Sequence, residues 1–197
     1  MNIREKKSKL RASLTQARRD MSAEDIRAED SAIIAHAAAL LRSMTPDETT
    51  VAAYSPLPGE PGGSLLLDAL HGEASSLLLP VSLPGGRLDW ALYQGRLALT
   101  PGALGISEPT GERLGPDAIT SCRLILIPAL GVSPEGIRLG KGGGFYDRAL
   151  ARFAESDDPP RTAVLLYNGE IRDDIPVEDH DMPVDMAITP AGVRHFS

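Results

Sequence analysis

A glycine-rich basic loop at residues 136–144 is the stretch of this sequence with the clearest chemical character. Four glycines fall within five positions around Lys141. The apolar run 124–128 precedes the loop, and the helical pattern 145–153 follows it. Glycines let backbone N–H groups approach an oxyanion, and the start of a helix adds unsatisfied donors and a positive dipole end. Strand, basic loop and helix together predict a phosphate-binding site.

The spacing of this loop differs from two common phosphate motifs. No Ser or Thr follows Lys141, so the loop is not a Walker A motif, and Phe145 stands where the last glycine of Gly-x-Gly-x-x-Gly belongs. A flexible surface loop is the alternative interpretation. The arrival of Arg138, Lys141 and a helix start at Gly144 within one segment favours the phosphate site.

Lysine is scarce and clustered, since the four lysines are Lys6, Lys7, Lys9 and Lys141. Three lie in the first ten residues and the fourth lies in the glycine loop. In an acidic protein, the two clusters are candidates to converge on one polyanionic ligand. Arginine supplies the other cations, so a compositional bias would also account for the scarcity.

Carboxylates near the loop predict either a metal site or ordinary solvated acids. Asp147 falls in the first turn of the predicted helix, where it suits the helix dipole or, alternatively, Mg²⁺ beside phosphates. The segment 173–181 is acidic and contains His180. A solvated loop is one interpretation of it; the other is that one of its carboxylates joins Asp147 at a metal.

A second loop, rich in Pro and Gly, carries Glu60 directly after the first predicted strand. Glu60 is either an exposed acid or, if the loop lines the cleft, a partner for a donor-rich ring such as a pterin or an amine. Trp90 and Tyr93 are predicted to be packing residues.

Composition and charge restrict the class of protein. The chain has 197 residues, 42% of them hydrophobic, which predicts one domain with a substantial core. A net charge of -7 argues against a general nucleic-acid binder. The charged amino terminus lacks an apolar secretory stretch, and no apolar run approaches the roughly 20 residues of a membrane helix. We therefore expect a cytoplasmic protein without a membrane partner.

A single cysteine, Cys122, excludes an internal disulfide and the usual zinc ligand sets. It opens the most apolar predicted strand, so a buried and inert thiol is expected.

The periodicity predicts an α/β fold with a mainly parallel sheet and helices on both faces, preceded by an N-terminal helical hairpin. Apolar residues at helical spacing predict a first helix over 2–19, with its basic residues on other faces, and Ser22 is the expected N-cap of a second helix that stops before Pro46. Further helices are expected at 64–70 and 145–153, and strands at 51–54, 76–80, 88–93, 123–128, 162–167 and, as the last, 184–189.

Continuous apolar strands that alternate with helices are typical of a parallel sheet covered on both faces, a three-layer α/β/α arrangement. Ligands of such sheets bind beyond the carboxyl ends of the strands. We therefore expect the loops 55–60, 129–144 and 168–183 to gather at one edge of the sheet.

Taken together, these residues resemble the 5-formyltetrahydrofolate cyclo-ligase family, also called methenyltetrahydrofolate synthetase. The resemblance centres on Gly136-x-Arg-Leu-Gly-x-Gly-x-Gly-Phe-Tyr-Asp147. Weaker segments in the family's order extend it to nearly the whole chain: Lys7-x-x-x-Arg11, Tyr54 with Gly-Glu60, Gly105-Ile-Ser-Glu-Pro109, Leu126-Ile-Pro128 and His180-Asp181-x-x-Val-Asp185.

The resemblance implies an ATP- and Mg²⁺-dependent conversion of 5-formyltetrahydrofolate to 5,10-methenyltetrahydrofolate, ADP and phosphate. By matching position, it implies catalytic roles for Arg138 and Lys141, magnesium ligation by Asp147 and Asp181, and folate contacts by Ser55, Glu60 and Phe145. The residues it implies at ATP are Lys7, Arg11, Arg138, Leu139, Gly140, Lys141, Gly142, Gly143, Gly144, Phe145 and Tyr146.

Two positions depart from the family pattern. Phe145 stands where tyrosine is common, which removes a hydroxyl but keeps a ring, and Ser55 stands where an apolar residue is common. These departures hint at a first alternative, a folate- or nucleotide-binding paralogue without catalysis. A second alternative is an α/β kinase or ligase that uses the same ATP loop on another small molecule. We expect a monomer that binds a small molecule and no nucleic acid.

Overall fold

Helices and strands alternate along the computed structural model, which describes residues 2–45, 49–153, 156–178 and 181–196. Within these residues the helices are α1 (Ile3–Asp20), α2 (Ala23–Arg42), α3 (Leu66–Glu73) and α4 (Phe145–Leu150). The strands are β1 (Thr50–Ala52), β2 (Ser76–Leu83), β3 (Arg87–Leu92), β4 (Leu99–Pro101), β5 (Ser107–Pro109), β6 (Leu124–Ile127), β7 (Gly131–Val132), β8 (Arg138–Leu139), β9 (Arg161–Leu165), β10 (Met186–Thr189) and β11 (Gly192–His195).

Seven strands form one mixed sheet in the order β11-β10-β9-β6-β1-β2-β3. The five central strands are parallel, and the strand at each edge is antiparallel to its neighbour. The prediction of a mainly parallel sheet is confirmed. The prediction that the strand near 184–189 is the last was wrong, because Gly192 at φ +133° starts a return strand that pairs with it as β11.

Alternate residues of each central strand enter opposite cores, which explains why these strands read as unbroken apolar runs. Val51 packs in the core beneath α2 and α3, whereas its neighbour Ala52 packs in the core beneath α4. Cys122 lies in the second core, where burial raises the pKa of its thiol to about 12, as expected of an inert cysteine. Helices on both faces confirm the three-layer arrangement.

The two N-terminal helices follow each other directly, as predicted, but pack against different parts of the molecule. Ser22 caps α2 by accepting a hydrogen bond from the Asp25 N–H at 3.0 Å. α2 covers the sheet, with Ile33 fully buried. α1 lies over the loops instead, and its Leu14 joins a separate small cluster formed by Leu130, Leu139 and Ile175.

The predicted orientation of α1 was partly wrong. The helical spacing of Ile3, Leu10, Leu14 and Ala17 predicts one apolar face, but Ala17 is exposed and the next residue, Arg18, is buried. Basic residues were expected on other faces. A buried carboxylate, described below, accounts for Arg18 lying inward.

The three loops predicted to meet at the carboxyl ends of the strands do so. Val132 bridges Ile171, and Ile137 bridges Pro183, which joins the 129–144 loop to the 168–183 loop. An ion pair between Lys141 and Glu60 joins it to the 55–60 loop. One edge of the sheet therefore collects all three.

Other boundaries shift by a few residues. α4 ends at Leu150, and the predicted remainder of that helix is a 3-10 turn at Ala151–Phe153.

Within the described ranges, no helix is both long enough and apolar enough to cross a membrane. Pro46, Glu155 and His180, which the sequence placed at a helix stop, a turn and an acidic loop, lie outside the described residues.

Candidate functional site

The glycine loop rises from a small antiparallel hairpin, β7 and β8, at the carboxyl edge of the sheet. The hairpin is anchored because Leu139 is buried against α1. Gly140 is half-buried and Lys141 is exposed, as are the two glycines that follow it. The base of the loop is therefore fixed while Gly142 and Gly143 face solvent, as a ligand-binding loop requires.

Arg138 and Asp147 form an ion pair between the start of the loop and the first turn of α4. The Arg138 side chain is 9% exposed and the Asp147 side chain is 71% exposed. Arg138 is therefore held in place by packing, whereas Asp147 presents its second oxygen to solvent. The structure places both residues beside the glycine loop.

Lys141 and Glu60 form a second ion pair, with Nζ and Oε1 2.6 Å apart. Glu60 is a largely buried side chain, and its other oxygen accepts a hydrogen bond from the Leu57 N–H at 2.8 Å. Glu60 is thus not an ordinary exposed acid. It is a fixed carboxylate in the cleft, directly beside the cation of the glycine loop.

α1 brings two further cations to the same edge. The Arg11 Nε donates to the Gly140 carbonyl at 2.8 Å, and its guanidinium lies next to Gly142. The Lys7 Nζ lies 2.7 Å from Glu178 Oε2 and 2.8 Å from Asp181 Oδ2. Burial lowers the pKa of Lys7, but hydrogen bonds and charges from the two carboxylates outweigh it and raise that pKa overall.

The lysine clusters converge only in part. Arg11 contacts the glycine loop and Lys7 contacts the acidic segment at Glu178 and Asp181, whereas Lys6 and Lys9 line a separate shallow depression with Arg172. One lysine of the amino-terminal cluster therefore reaches the site, and an arginine one turn later accompanies it.

Each carboxylate predicted to bind a metal is held by a cation predicted to bind phosphate. Asp147 pairs with Arg138, and Asp181 pairs with Lys7. Among the described residues, no group of three His, Cys, Asp or Glu side chains is placed to hold a metal ion. This donor set does not fit a metal cage made by protein alone. It fits Mg²⁺, which takes one or two carboxylates and shares its other positions with water and phosphate oxygens.

Of the aromatic residues after the loop, Phe145 packs against the core beneath α4 and Tyr146 packs against both cores. Phe145 and Tyr146 are half-buried, and the Arg148 guanidinium lies 5.9 Å from the centre of the Phe145 ring. The Tyr146 hydroxyl is buried and has no hydrogen-bond partner in the described part of the chain. Burial, with help from the charge of Glu60, raises its pKa, so it remains a protonated donor near that carboxylate. Ser55 is buried at the end of β1.

Two charged residues that fasten the surroundings of the site were not predicted from the sequence: Asp30, which is half-buried, and Arg18, which is buried. Asp30 of α2 accepts hydrogen bonds from the Gly62 N–H at 2.8 Å and the Tyr167 hydroxyl at 2.9 Å, which fastens the loop after Glu60. Arg18 of α1 pairs with a buried glutamate. Both continue the stripe of buried residues on their helices at spacings of three and four. That spacing is the signal that could have identified them.

This chain is similar to known proteins over most of its length. Residues 3–190 match the model of the 5-formyltetrahydrofolate cyclo-ligase family. The 5-formyltetrahydrofolate cyclo-ligase of Mycolicibacterium smegmatis is 34% identical over 192 residues, which is 93% of each chain. The enzyme of that name from Escherichia coli is 28% identical over 146 residues, covering 73% of this chain and 79% of its own.

Solved structures give the same relationship. The 5,10-methenyltetrahydrofolate synthetase of Aquifex aeolicus superposes with a TM-score of 0.75 at 29% identity, over 96% of this chain and 92% of its own. The 5,10-methenyltetrahydrofolate synthetase of Mycoplasma pneumoniae has a TM-score of 0.72 at 20% identity, over 93% and 98% of the two chains, and shares the fold.

Proposed function

This chain belongs to the 5-formyltetrahydrofolate cyclo-ligase family, a family of ligases in folate metabolism, and we propose that it converts 5-formyltetrahydrofolate to 5,10-methenyltetrahydrofolate at the expense of ATP. The products are the methenyl folate, ADP and phosphate. One observation carries this proposal: the Lys141–Glu60 ion pair joins a phosphate-type loop to a buried carboxylate. The proposed sites for a polyphosphate and for a donor-rich ring therefore lie next to each other.

The reaction needs a poor leaving oxygen to become a good one. The formyl oxygen attacks the γ-phosphorus of ATP, and ADP departs. N10 of the folate then attacks the activated carbon, the C–O bond breaks as the ring closes, and the phosphate leaves as hydrogen phosphate with the proton that N10 has lost. The protein's contribution is to hold the two substrates in line and to neutralise charge on the transferring group.

Cations of the glycine loop and of α1 supply that neutralisation. Arg138 and Lys141 lie on the loop, Arg11 reaches the loop from α1, and Lys7 reaches the neighbouring acidic segment from α1. We assign all four to the phosphates of ATP, together with backbone N–H groups at 139–146. Glu60 accepts hydrogen bonds from the pterin ring, and Ser55 and Phe145 line the ring's pocket.

Binding of the substrates requires the resting ion pairs to exchange partners. Lys141 leaves Glu60 for a phosphate when the carboxylate takes up the ring. Arg138 and Lys7 turn to phosphate oxygens when Asp147 and Asp181 take up Mg²⁺.

Asp147 and Asp181 are the residues that would hold Mg²⁺, which lowers the charge of the bound phosphates. Asp147→Asn is expected to raise the Mg²⁺ concentration for half-maximal rate about tenfold, since one of few charged ligands is lost. A magnesium titration of the initial rate measures this. Asp174→Asn is the control, because Asp174 pairs with Arg172 outside the site. If the two variants gave the same magnesium titration, Asp147 would have a structural role and would not bind Mg²⁺.

The remaining proposals concern the whole molecule. We propose that residues 1–197 form one domain that acts as a cytoplasmic monomer, without nucleic-acid or membrane partners. The acidic net charge of -7 supports the absence of a nucleic-acid partner.

The decisive experiment mixes purified protein, ATP, Mg²⁺ and 5-formyltetrahydrofolate. We expect the near-ultraviolet absorbance of the methenyl chromophore to grow with time, and to require all four components. Binding of ATP without any methenyl product would identify a catalytically inactive paralogue. ATP turnover that ignores the folate would identify a ligase or kinase for another small molecule.

A further inference from the structure

One stripe of α1 carries both the cations of the site and a buried anchor. Lys7, Arg11, Leu14 and Arg18 are spaced by four, three and four residues, so they share one face of the helix. The first two contact the acidic segment and the glycine loop. The last two, Leu14 and Arg18, belong to the second half of the helix and are its buried residues.

The anchor is an ion pair between Arg18 and Glu170. Arg18 Nε lies 2.6 Å from Oε1, and its terminal nitrogen Nη2 lies 2.8 Å from Oε2, so the contact is bidentate. The side chains are 5% and 6% exposed. Nη2 also donates to the Ala129 carbonyl at 2.8 Å, and the guanidinium lies 5.6 Å from the centre of the Tyr167 ring.

Glu170 is itself fixed from several directions. Its Oε2 accepts a hydrogen bond from the Tyr167 N–H at 2.9 Å, and its backbone carbonyl accepts one from the Val132 N–H at 2.9 Å. A methyl group on Gly131 would lie 2.9 Å from that carbonyl and 3.3 Å from Leu14. The chain segments that follow β6 and β9 therefore meet the underside of α1 at this point.

The stability gained by burying apolar surface does not explain why the charged side chains of Arg18 and Glu170 are buried at this point. A buried ion pair recovers its desolvation cost only with good geometry, and apolar replacements of similar volume are often neutral or stabilising. What the pair does provide is a fixed register with defined donor directions. A helix rotated by one residue turns its side chains by about 100°, which would carry Lys7 and Arg11 away from the loop.

We propose that Arg18 and Glu170 are positioning residues that fix the register of α1, so that Lys7 and Arg11 meet the phosphates of ATP. The inference rests on the proposed function for the identity of the ligand. The proposal predicts that loss of the Arg18–Glu170 pair weakens binding of ATP but not of the folate. The reason is that the folate-side groups Glu60 and Ser55 are carried by the loop after β1 rather than by α1.

The test is the double variant Arg18→Met/Glu170→Met, which removes both charges together and leaves neither unpaired. We expect KM for ATP to rise at least tenfold, with KM for 5-formyltetrahydrofolate changed by less than twofold. Arg18→Lys is the second variant. It keeps the charge and packing but loses the bidentate contact, and it should raise KM for ATP in the same selective way. The dissociation constant of ATP, measured by calorimetry without folate, should rise in parallel.

Ile33→Val is the control for simple loss of stability, because Ile33 lies in the core beneath α2. Ile33→Val should lower Tm but change KM for ATP and KM for 5-formyltetrahydrofolate by the same factor. The proposal is overturned if Arg18→Lys binds ATP as tightly as the parent protein. It is also overturned if both variants raise the two KM values equally. If the parent protein forms no methenyl product, the proposed function fails, while calorimetry with ATP still decides the positioning role.

Discussion

Replacing Lys141 with methionine is expected to lower kcat/KM for ATP by about two orders of magnitude, the scale on which a single oriented charge stabilises a transition state. Methionine keeps most of the stem and removes only the ammonium group. The Lys141 side chain is 53% exposed but that of its partner Glu60 is only 9% exposed, so loss of the ammonium group should lower the free energy of unfolding by about 1–3 kcal/mol. Steady-state kinetics and urea denaturation measure the two quantities.

Lys9→Met is the matched control, because Lys9 is exposed on α1 and lines a depression apart from the glycine loop. Its kcat/KM should stay within twofold of the parent. If Lys141→Met kept nearly the activity of the parent protein, the glycine loop would not be part of the phosphate site. A fall of equal size in both variants would indicate a general dependence on net charge instead.

Gly136→Ala is expected to have the largest effect on stability among single substitutions in the loop. Gly136 has φ +88°, and an added Cβ would lie 2.8 Å from the Val184 carbonyl oxygen and 3.1 Å from Phe196. A left-handed conformation costs an L-residue about 1–2 kcal/mol, and overpacking adds about 1–3 kcal/mol. We expect the free energy of unfolding to fall by roughly 2–4 kcal/mol on these grounds, measured by urea denaturation.

Gly140→Ala is the control for this substitution. Gly140 lies in the same loop, its φ is not positive, and a Cβ there would meet no atom within 4 Å. Alanine at such a position leaves stability unchanged or raises it by up to about 1 kcal/mol, because it restricts the unfolded chain. Equal stability of the two variants would show that the turn at Gly136 accepts a side chain.

These glycines illustrate how far the sequence alone could reach. The sequence predicted a phosphate site at the loop from composition, because four glycines cluster there with a lysine. It could not tell which glycine serves the fold. Gly136 has a special role because Val184, forty-eight residues later, approaches its backbone. The requirement arises from a distant segment, which no local pattern encodes.

The sheet was predictable because its physical cause is local. Strands buried on both faces must be apolar throughout, so β2, β6 and β9 read as continuous runs, and the rule for parallel sheets then brought the loops to one edge. The short strands β7 and β8 and the edge strand β11 were missed. They have two to four residues each and too little periodicity to stand out.

The sequence by itself determined the layers of this protein, the glycine loop, and the residue types around that loop. Tertiary structure decided how those residues are paired. Lys141 meets Glu60, Arg138 meets Asp147, and Lys7 meets Asp181 across 81, 9 and 174 positions of chain. It also turned Arg18 inward, against the expectation for a basic residue on an amphipathic helix. The reason is that the favourable partner of a charge is set by proximity in space. A buried carboxylate at the end of a distant strand can reverse what hydrophobicity along a helix predicts.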